Sequence, residues 1–239
     1  MTTTTTIAEP KQRDFANASA LADALVAEVA ARLRAGIAGR GRASLLVSGG
    51  TTPKRFFRAL STADLDWKKV TIAPVDERWV PPDSDRSNSR LIMENLLTND
   101  AASARFLAPY LHGKTAGEGA AGFAARSSVL ARPFDVVILG MGNDGHTASF
   151  FPGGNNLRRG LDLKSAPSAV AIDAPGAEEP RVTFTLRELL DTGFLALHIE
   201  GEAKAATLAL ALQPGPVEDM PIRAVLRQAR TPLTIYWCP

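Results

Sequence analysis

Short, largely apolar runs alternate with helical segments along most of this 239-residue chain. Ala43–Val47, Val70–Val75 and Phe134–Leu139 are too short for helices and end at Ser, Asp or Gly, which is typical of buried strands. Further strands are predicted at Ala169–Ile172, Arg181–Thr185, Phe194–Ile199 and Leu233–Trp237. Because helices separate many of these strands, right-handed crossovers should connect them. The sequence therefore predicts an α/β fold, an open and mainly parallel twisted sheet flanked by helices.

Helical periodicity accounts for the segments between these strands. Apolar residues four positions apart from Leu21 to Leu33 predict a long amphipathic helix over Asn17–Arg34. Thr52 is expected to cap the helix after the first core strand, with Pro53 at its first position. Other helices are predicted at Ser89–Leu97, Gly119–Leu130, Leu186–Leu190, Ala203–Leu212 and Val217–Gln228.

Composition restricts the classes of function. Lys and Arg total 27 against 25 Asp and Glu, and no basic block indicates binding to nucleic acid or a membrane surface. The single cysteine, Cys238, excludes a disulfide within the chain and favours the cytoplasm. Residues 1–14 show no signal-peptide pattern and are expected to form a disordered tail before one α/β domain over residues 15–239. No apolar stretch approaches the roughly 20 residues that span a bilayer.

Four polar or glycine-rich segments each follow a predicted strand. They are Gly49-Gly50, Asp76, Gly140–His146 and Gly201–Lys204. In an open parallel sheet the carboxyl ends of the strands form one rim, where ligands bind. We therefore expect these four segments to converge on one pocket.

The first of these segments, Ser48-Gly49-Gly50-Thr51-Thr52, leads from a strand into a helix. Backbone N–H groups at such a turn suit a phosphate, and the hydroxyls of Ser48, Thr51 and Thr52 would add donors. The segment lacks the Gly-Lys-Ser/Thr ending of a Walker A loop. An ordinary tight turn is the alternative, and the residues alone favour neither interpretation.

The segment Gly140-x-Gly142-x-x-Gly145 matches the dinucleotide-binding fingerprint letter by letter. That fingerprint requires a full helix after the third glycine and an acidic residue about 20 positions later. Pro152-Gly153-Gly154 would end any helix early. The region near Ser165 has no acidic residue, and Asp162 does not stand at the end of a second strand. Nucleotide binding is therefore disfavoured.

His146 follows Asp144 by two residues in the same segment. A neighbouring carboxylate can orient an imidazole, and histidine transfers protons near neutral pH. A helix-capping role for Asp144 is the alternative. His198 lies inside a predicted strand and is expected to be a core residue, whereas His112 is expected to be solvated. No second histidine stands at metal-ligand spacing, so no zinc site is predicted.

Charged residues at other strand ends complete the predicted pocket. Asp76 is suited to holding sugar hydroxyls or moving a proton, and Arg78 to binding an anion or an oxyanion. Arg181 and Lys204 are suited to a phosphate. For all four, a solvated surface charge is the alternative interpretation.

Taken together, these motifs resemble the 6-phosphogluconolactonase family from about Phe15 to the C-terminus. The matching segments are Ser48–Pro53, Asp76–Pro81, Ser87-Asn88, Gly140–Ser149, Arg181–Thr185 and Gly201–Ala205. The resemblance implies a Rossmann-like fold similar to glucosamine-6-phosphate deaminase and ribose-5-phosphate isomerase. It also implies hydrolysis of 6-phosphoglucono-δ-lactone to 6-phosphogluconate in the oxidative pentose phosphate pathway, with no metal or organic cofactor and a monomer or weak homodimer.

The resemblance suggests a role for each candidate residue. His146 would be the general base, oriented by Asp144, while the importance of Asp76 relative to Asp144 stays open. N–H groups of the turn from Gly142 to Gly145, with Arg78, would stabilise the oxyanion. The phosphate would bind to Ser48, Gly49, Gly50, Thr51 and Thr52, with Arg181 and Lys204 as counter-charges.

Two rival functions remain at this stage. A deaminase or isomerase on the same scaffold is disfavoured because Arg78 follows the two acids where deaminases usually carry an aromatic residue. Thr147–Pro152 also lacks the glutamate of the corresponding deaminase segment. A non-catalytic sugar-phosphate sensor usually carries a DNA-binding domain, for which the chain has little room before Ala43. Arg90 and the Phe150-Phe151 pair depart from the lactonase pattern.

Overall fold

The structure, a computed structural model, describes residues 9–166 and 168–239. Seven strands form a sheet in which every neighbouring pair is parallel. They are β1 (Lys11–Asp14), β2 (Ala43–Val47), β3 (Val70–Pro74), β5 (Arg105–Phe106), β6 (Val136–Leu139), β9 (Leu195–Glu200) and β10 (Leu233–Cys238). Their order across the sheet is β1-β10-β9-β6-β2-β3-β5.

A second, three-stranded sheet is antiparallel. It contains β4 (Asp76–Arg78), β7 (Ala169–Ile172) and β8 (Arg181–Phe184), in the order β4-β8-β7. The helices are α1 (Ala18–Arg40), α2 (Lys54–Leu60), α3 (Asn88–Asn95), α4 (Ala116–Arg126), α5 (Leu157–Leu161), α6 (Leu186–Leu189), α7 (Glu202–Leu212) and α8 (Ile222–Leu226). The predicted α/β fold with a mainly parallel sheet is confirmed. None of the helices in the described ranges has the length and apolar character needed to cross a membrane.

The interior strands β2, β3, β6 and β9 are buried on both faces of the central sheet, which explains why they are largely apolar. Leu45 and Val47 of β2 pack on one side with α1 and α2, whereas Leu46 packs on the other side with the second sheet and α4. In α1, the residues Leu21 and Leu33 at the ends of the four-residue repeat are fully buried. Polar segments such as Ser48–Thr52 follow these interior strands where they end at the rim.

The first strand differs from the predicted disordered tail. Lys11–Asp14 pairs in parallel with β10, and Phe15 stacks on Tyr236 with ring centroids 5.7 Å apart. This edge strand is mostly exposed and polar, so its stability comes from backbone pairing that leaves no hydrophobic pattern in the sequence. The tail prediction is wrong for Lys11–Asp14, and residues 1–8 lie outside the described part of the chain.

Several helix boundaries also differ from the predictions, including α4, which spans Ala116–Arg126 where Gly119–Leu130 was predicted. Helix α1 continues through Gly36, where an added Cβ would lie 2.0 Å from the buried Asp135 carboxylate, and ends before Gly41 with φ of 72°. Helix α2 begins at Lys54 after Pro53, so Thr52 is not its cap. The helix predicted over Val217–Gln228 is restricted to α8, because proline cannot donate an N–H and Pro221 stands at the N-cap.

Candidate active site

A cavity of about 240 Å³ opens at the carboxyl ends of β2, β6 and β9. The predicted convergence is therefore observed, since all four polar segments contribute side chains or backbone to its wall. The predicted site residues that line it are Ser48, Gly49, Gly50, Thr51, Thr52, Asp76, Arg78, Gly142, His146, Arg181 and Lys204. Asp144 and Gly145 do not line the cavity and lie behind His146 in the turn.

A tight turn after β6 presents His146 to this cavity. The Gly142 N–H donates to the His146 carbonyl oxygen at 2.8 Å, and the Gly145 N–H donates to the Gly142 carbonyl oxygen at 3.1 Å. Both amides are thus used inside the turn. The expectation that N–H groups of this turn stabilise an oxyanion is therefore corrected for Gly142 and Gly145, because neither is left for a ligand.

Glycine is required at positions 142 and 145 for two different structural reasons. A Cβ at Gly142 would lie 2.1 Å from Nδ1 of His146 and 2.5 Å from Oδ1 of Asp144. Gly145 has φ of 78°, and a Cβ there would contact Met220 at 2.9 Å. Gly142 is required for close approach of the His146 and Asp144 side chains, and Gly145 for the backbone conformation of the turn.

Asp144 holds the imidazole of His146. Its Oδ1 lies 2.6 Å from Nδ1 of His146 and also accepts a hydrogen bond from the His146 N–H at 3.1 Å. Burial alone would raise the pKa of Asp144, but its interactions with His146 outweigh this and lower the pKa to about 2. With an ionised carboxylate accepting from Nδ1, the neutral imidazole keeps its unprotonated nitrogen at Nε2.

The loop after β2 leaves backbone donors free at the cavity wall. Across residues 9–166 and 168–239, the N–H groups of Gly49, Gly50, Thr51 and Thr52 donate to no protein acceptor. The Ser48 hydroxyl is already occupied, since it donates to the Ile138 carbonyl and accepts from the Gly140 N–H at 2.9 Å. The expected donor role of Ser48 is therefore corrected: its hydroxyl joins this loop to the turn that carries His146.

Lys204 extends toward the same cavity from the first turn of α7. Burial lowers the pKa of its ammonium group, and the negative charge of Asp144 partly opposes that effect. On the same helix, the Thr207 hydroxyl donates to the Ala203 carbonyl oxygen at 2.9 Å and also lies 3.3 Å from the Asn143 carbonyl oxygen. Helix α7 thus supplies a cation to the cavity and a contact to the turn around His146.

Strand β4 places Asp76 and Arg78 on another wall of the cavity. One Asp76 oxygen accepts from the Ser149 hydroxyl at 2.6 Å. Arg78 donates through Nη1 to the Arg86 carbonyl at 2.6 Å, and its buried Nε has no partner in the described ranges. Asp76 and Arg78 are fixed by these contacts while retaining polar atoms that are not used by the protein.

Glu77, between them, points away from the cavity to the start of α3. Its carboxylate accepts hydrogen bonds from the N–H groups of Arg78, Asn88 and Ser89 at 2.7–2.8 Å. Burial raises the pKa of Glu77, and the hydrogen bonds from Ser89 and Asn88 oppose that rise. This buried carboxylate therefore joins β4 to α3 and fixes the position of both neighbours.

Arg181 reaches the cavity from β8, the strand that pairs with β4. Its side chain is almost fully buried, and its Nη2 lies 3.6 Å from a carboxylate oxygen of Glu179. Burial lowers the pKa of the guanidinium, whereas the charge of Asp76 raises it. Three cations, Arg78, Arg181 and Lys204, consequently line one cavity.

Comparison with known proteins assigns the family. The family model described as glucosamine-6-phosphate isomerases/6-phosphogluconolactonase matches residues 16–237. The chain belongs to this family. It is 56% identical over 225 residues to a 6-phosphogluconolactonase of Rhizobium meliloti (strain 1021), covering 94% of this chain and 97% of that protein.

Two other relatives carry the same enzyme name. A 6-phosphogluconolactonase of Mesorhizobium japonicum is 48% identical over 94% of each chain. The crystal structure of a 6-phosphogluconolactonase from Shewanella baltica OS155 superposes with a TM-score of 0.93 at 41% identity, covering 98% of this chain and 99% of that one. The resemblance stated from the motifs is thereby confirmed.

Some residues of this family member's site were missed or only partly understood from the sequence. His198 is buried, as expected for a core residue, yet it also lines the cavity, and its Nε2 lies 2.9 Å from Glu200. His112 is exposed, as predicted. Asn88 lines the cavity and donates to the Asp76 carbonyl at 2.9 Å. The place of Asn88 in the Ser87-Asn88 motif is the sequence feature from which its position at the cavity could have been predicted.

Proposed function

We propose that this protein hydrolyses 6-phosphoglucono-δ-lactone to 6-phosphogluconate, with His146 as the general base. The observation that carries the proposal is the 2.6 Å contact between His146 Nδ1 and Asp144. This pair lies beside a cavity that also holds free backbone donors and three cations. The lactonase names of relatives at 56% and 48% identity support the choice of substrate.

The chemical step begins with a water molecule next to His146. Nε2 accepts a proton from the water as the water oxygen attacks the lactone carbonyl carbon. The tetrahedral intermediate then collapses, the bond from the carbonyl carbon to the ring oxygen breaks, and the imidazolium returns the proton to that oxygen. Asp144 stays ionised throughout and stabilises the imidazolium.

Because the N–H groups of Gly142 and Gly145 are already used within the turn, the negative charge that develops on the carbonyl oxygen requires other donors. Arg78 is suited to this role because it lines the cavity and has a buried Nε without a protein partner in the described ranges. Asp76 has one oxygen bound to Ser149, and we assign the other to a hydroxyl of the sugar.

The phosphate binds at the loop formed by Gly49, Gly50, Thr51 and Thr52. Their N–H groups are free donors, and Lys204 and Arg181 supply positive charge to the same cavity. Binding of a phosphate remote from the reacting carbonyl fixes the lactone relative to His146, which supplies orientation for the chemical step.

The test is turnover of lactone generated freshly in the assay. Product is followed through 6-phosphogluconate dehydrogenase and NADPH absorbance, against a blank without enzyme because the lactone also hydrolyses unaided. His146→Ala should lower kcat by roughly 100-fold or more. His112→Ala is the matched control, because His112 is exposed and does not line the cavity, and it should retain wild-type kcat.

The two alternative functions, deaminase and sugar-phosphate sensor, can be tested with the same protein sample. Folded wild-type protein that does not exceed the blank would contradict the lactonase proposal. Ammonia release from glucosamine 6-phosphate would then support a deaminase. Phosphosugar binding with no turnover of either compound would support a sensor.

A further inference from the structure

The ring of Phe151 stacks on the imidazole of His146. The ring centroids are 4.1 Å apart and the planes differ by 25°. The guanidinium carbon of Arg181 lies over the same Phe151 ring, 5.3 Å from its centroid. Phe151 is almost fully buried and does not line the cavity, so substrate does not account for its position.

We propose that Phe151 is a positioning residue that fixes the plane of the His146 imidazole for proton transfer. The inference rests on the function proposed above, in which His146 moves the proton. It also gives Arg181 a second role, since the guanidinium that faces the cavity holds the Phe151 ring in place as well.

The stack supplies a restraint that Asp144 cannot supply. A single hydrogen bond to Nδ1 fixes one atom of the imidazole and leaves the ring able to rotate about that contact. A flat aromatic ring whose centroid lies 4.1 Å from that of the imidazole prevents this rotation, because the tilted imidazole would collide with it. The direction of Nε2 is thus set by two contacts of different kinds, one polar and one aromatic.

The loop between the two rings is shaped to bring them together. Ala148 has φ of 48°, an uncommon value for a residue with a side chain. The Thr147 hydroxyl donates to the Gly140 carbonyl at 2.7 Å, and the Phe150 N–H donates to the Thr147 carbonyl at 2.9 Å. These contacts turn the chain back, so that a residue five positions after His146 covers its ring.

Electrostatics favour an aromatic residue at this place. When His146 accepts a proton, the imidazolium faces the negative surface of the Phe151 π system. An aliphatic side chain of similar volume would keep the apolar contact and lose both the flat surface and this attraction. Leucine is therefore the informative replacement, and tyrosine is the replacement that keeps the ring.

Phe150 offers a matched control within the same segment. It is fully buried, and its ring lies beside Gly160 and Val170 in the core, whereas Phe151 contacts His146. Phe150→Leu removes the same ring from the same loop at comparable burial. A general weakening of the loop would affect both leucine variants equally, and loss of the stack would affect only Phe151→Leu.

The experiment compares wild type with Phe151→Leu, Phe151→Tyr and Phe150→Leu by lactone kinetics and by NMR of the histidine rings. The chain has only 3 histidines, so assignment is straightforward. A stacked aromatic ring shields the His146 ring protons. In Phe151→Leu we expect their resonances to move downfield and kcat to fall about tenfold, with KM within about twofold of wild type. Phe151→Tyr and Phe150→Leu should keep both wild-type properties.

Unmoved His146 resonances in Phe151→Leu, or an equal loss of kcat in Phe150→Leu, would overturn the inference. The NMR measurement needs no turnover. If wild type fails to hydrolyse the lactone, the proposed function fails, while the resonances still decide whether Phe151 orients the imidazole.

Discussion

The Asp144 carboxylate lies 2.6 Å from Nδ1 of His146 and holds the imidazole from the side opposite to Nε2. The two residues are separated by one glycine, and the turn that joins them has its own hydrogen bonds. The relationship separates the two candidate carboxylates: Asp144 contacts His146 directly, and Asp76 contacts Ser149.

Asp144→Asn should lower kcat by about 100-fold or more with a smaller change in KM. An amide neither stabilises the imidazolium nor fixes the tautomer of the neutral imidazole. Asp144 has a pKa of about 2, so its carboxylate is ionised at any pH well above that value. A fall of wild-type activity between pH 7 and pH 5 would therefore report a different group. Asp23→Asn, at an exposed carboxylate outside the cavity, is the control for the kcat measurement.

Gly142→Ala should raise the activation free energy of the reaction by more than it lowers the free energy of unfolding. The new methyl group would lie 2.1 Å from Nδ1 of His146, so the imidazole or the Asp144 carboxylate has to move. A displacement of about 1 Å at the reacting group costs on the order of 100-fold in rate. Gly39→Ala, in α1 with no atom near its added Cβ, is the control and should keep full activity. Wild-type kcat in Gly142→Ala would show that His146 does not need its present position.

Lys204→Ala should raise KM by about tenfold or more and change kcat less, because the role proposed for the ammonium group is to bind the phosphate and not the reacting carbonyl. Burial lowers the pKa of Lys204, and the negative charge of Asp144 opposes that shift. Glu202→Ala on the same helix turn is the control, since Glu202 is exposed and does not line the cavity. A collapse of kcat at unchanged KM would instead place Lys204 in the chemical step.

The strands were predictable wherever burial on both faces produced an apolar run. Ala43–Val47 and Ala169–Ile172 were predicted with the bounds that the structure shows. Strands β1, β4 and the two-residue β5 were missed because they are short and contain charged or polar residues. Backbone pairing with β10, β8 and β3 makes them strands. Such pairing is a long-range property that local sequence patterns do not contain.

The cavity wall was predictable because parallel strands end on one rim, which brought Ser48–Thr52 and His146 together. The internal contacts of the site were not. The sequence shows that Ser48 has a hydroxyl and Gly142 an N–H, but not that each is already occupied by a partner within the protein. Nor does it show that Phe151 returns to cover His146, since this depends on the φ of 48° at Ala148.

Glu77→Gln should lower the free energy of unfolding by about 2 kcal/mol at pH 7. Two effects oppose each other, because the change removes a buried charge but also places an NH₂ group among donors. The carboxylate accepts from three backbone N–H groups and from the Ser89 hydroxyl at 2.6 Å, so one amide nitrogen would face groups that only donate or are already committed. We expect the unfavourable contacts between the new NH₂ group and these donors to outweigh the relief of burying a charge.

The raised pKa of Glu77 also predicts how the effect of Glu77→Gln on the free energy of unfolding changes with pH. The pKa of Glu77 is raised in the folded protein above its ordinary value of 4.5, so the folded state binds this proton more tightly than the unfolded state. The contribution of Glu77 to stability therefore declines as pH rises from about 4.5 through the folded pKa. The stability difference between wild type and Glu77→Gln should accordingly grow as pH is lowered from 7 toward 4.5, measured by urea unfolding. Glu94→Gln, at an exposed ion pair on α3, should change stability by less than about 1 kcal/mol at every pH. A Glu77→Gln protein more stable than wild type at pH 7 would show that the cost of the buried charge is the larger effect.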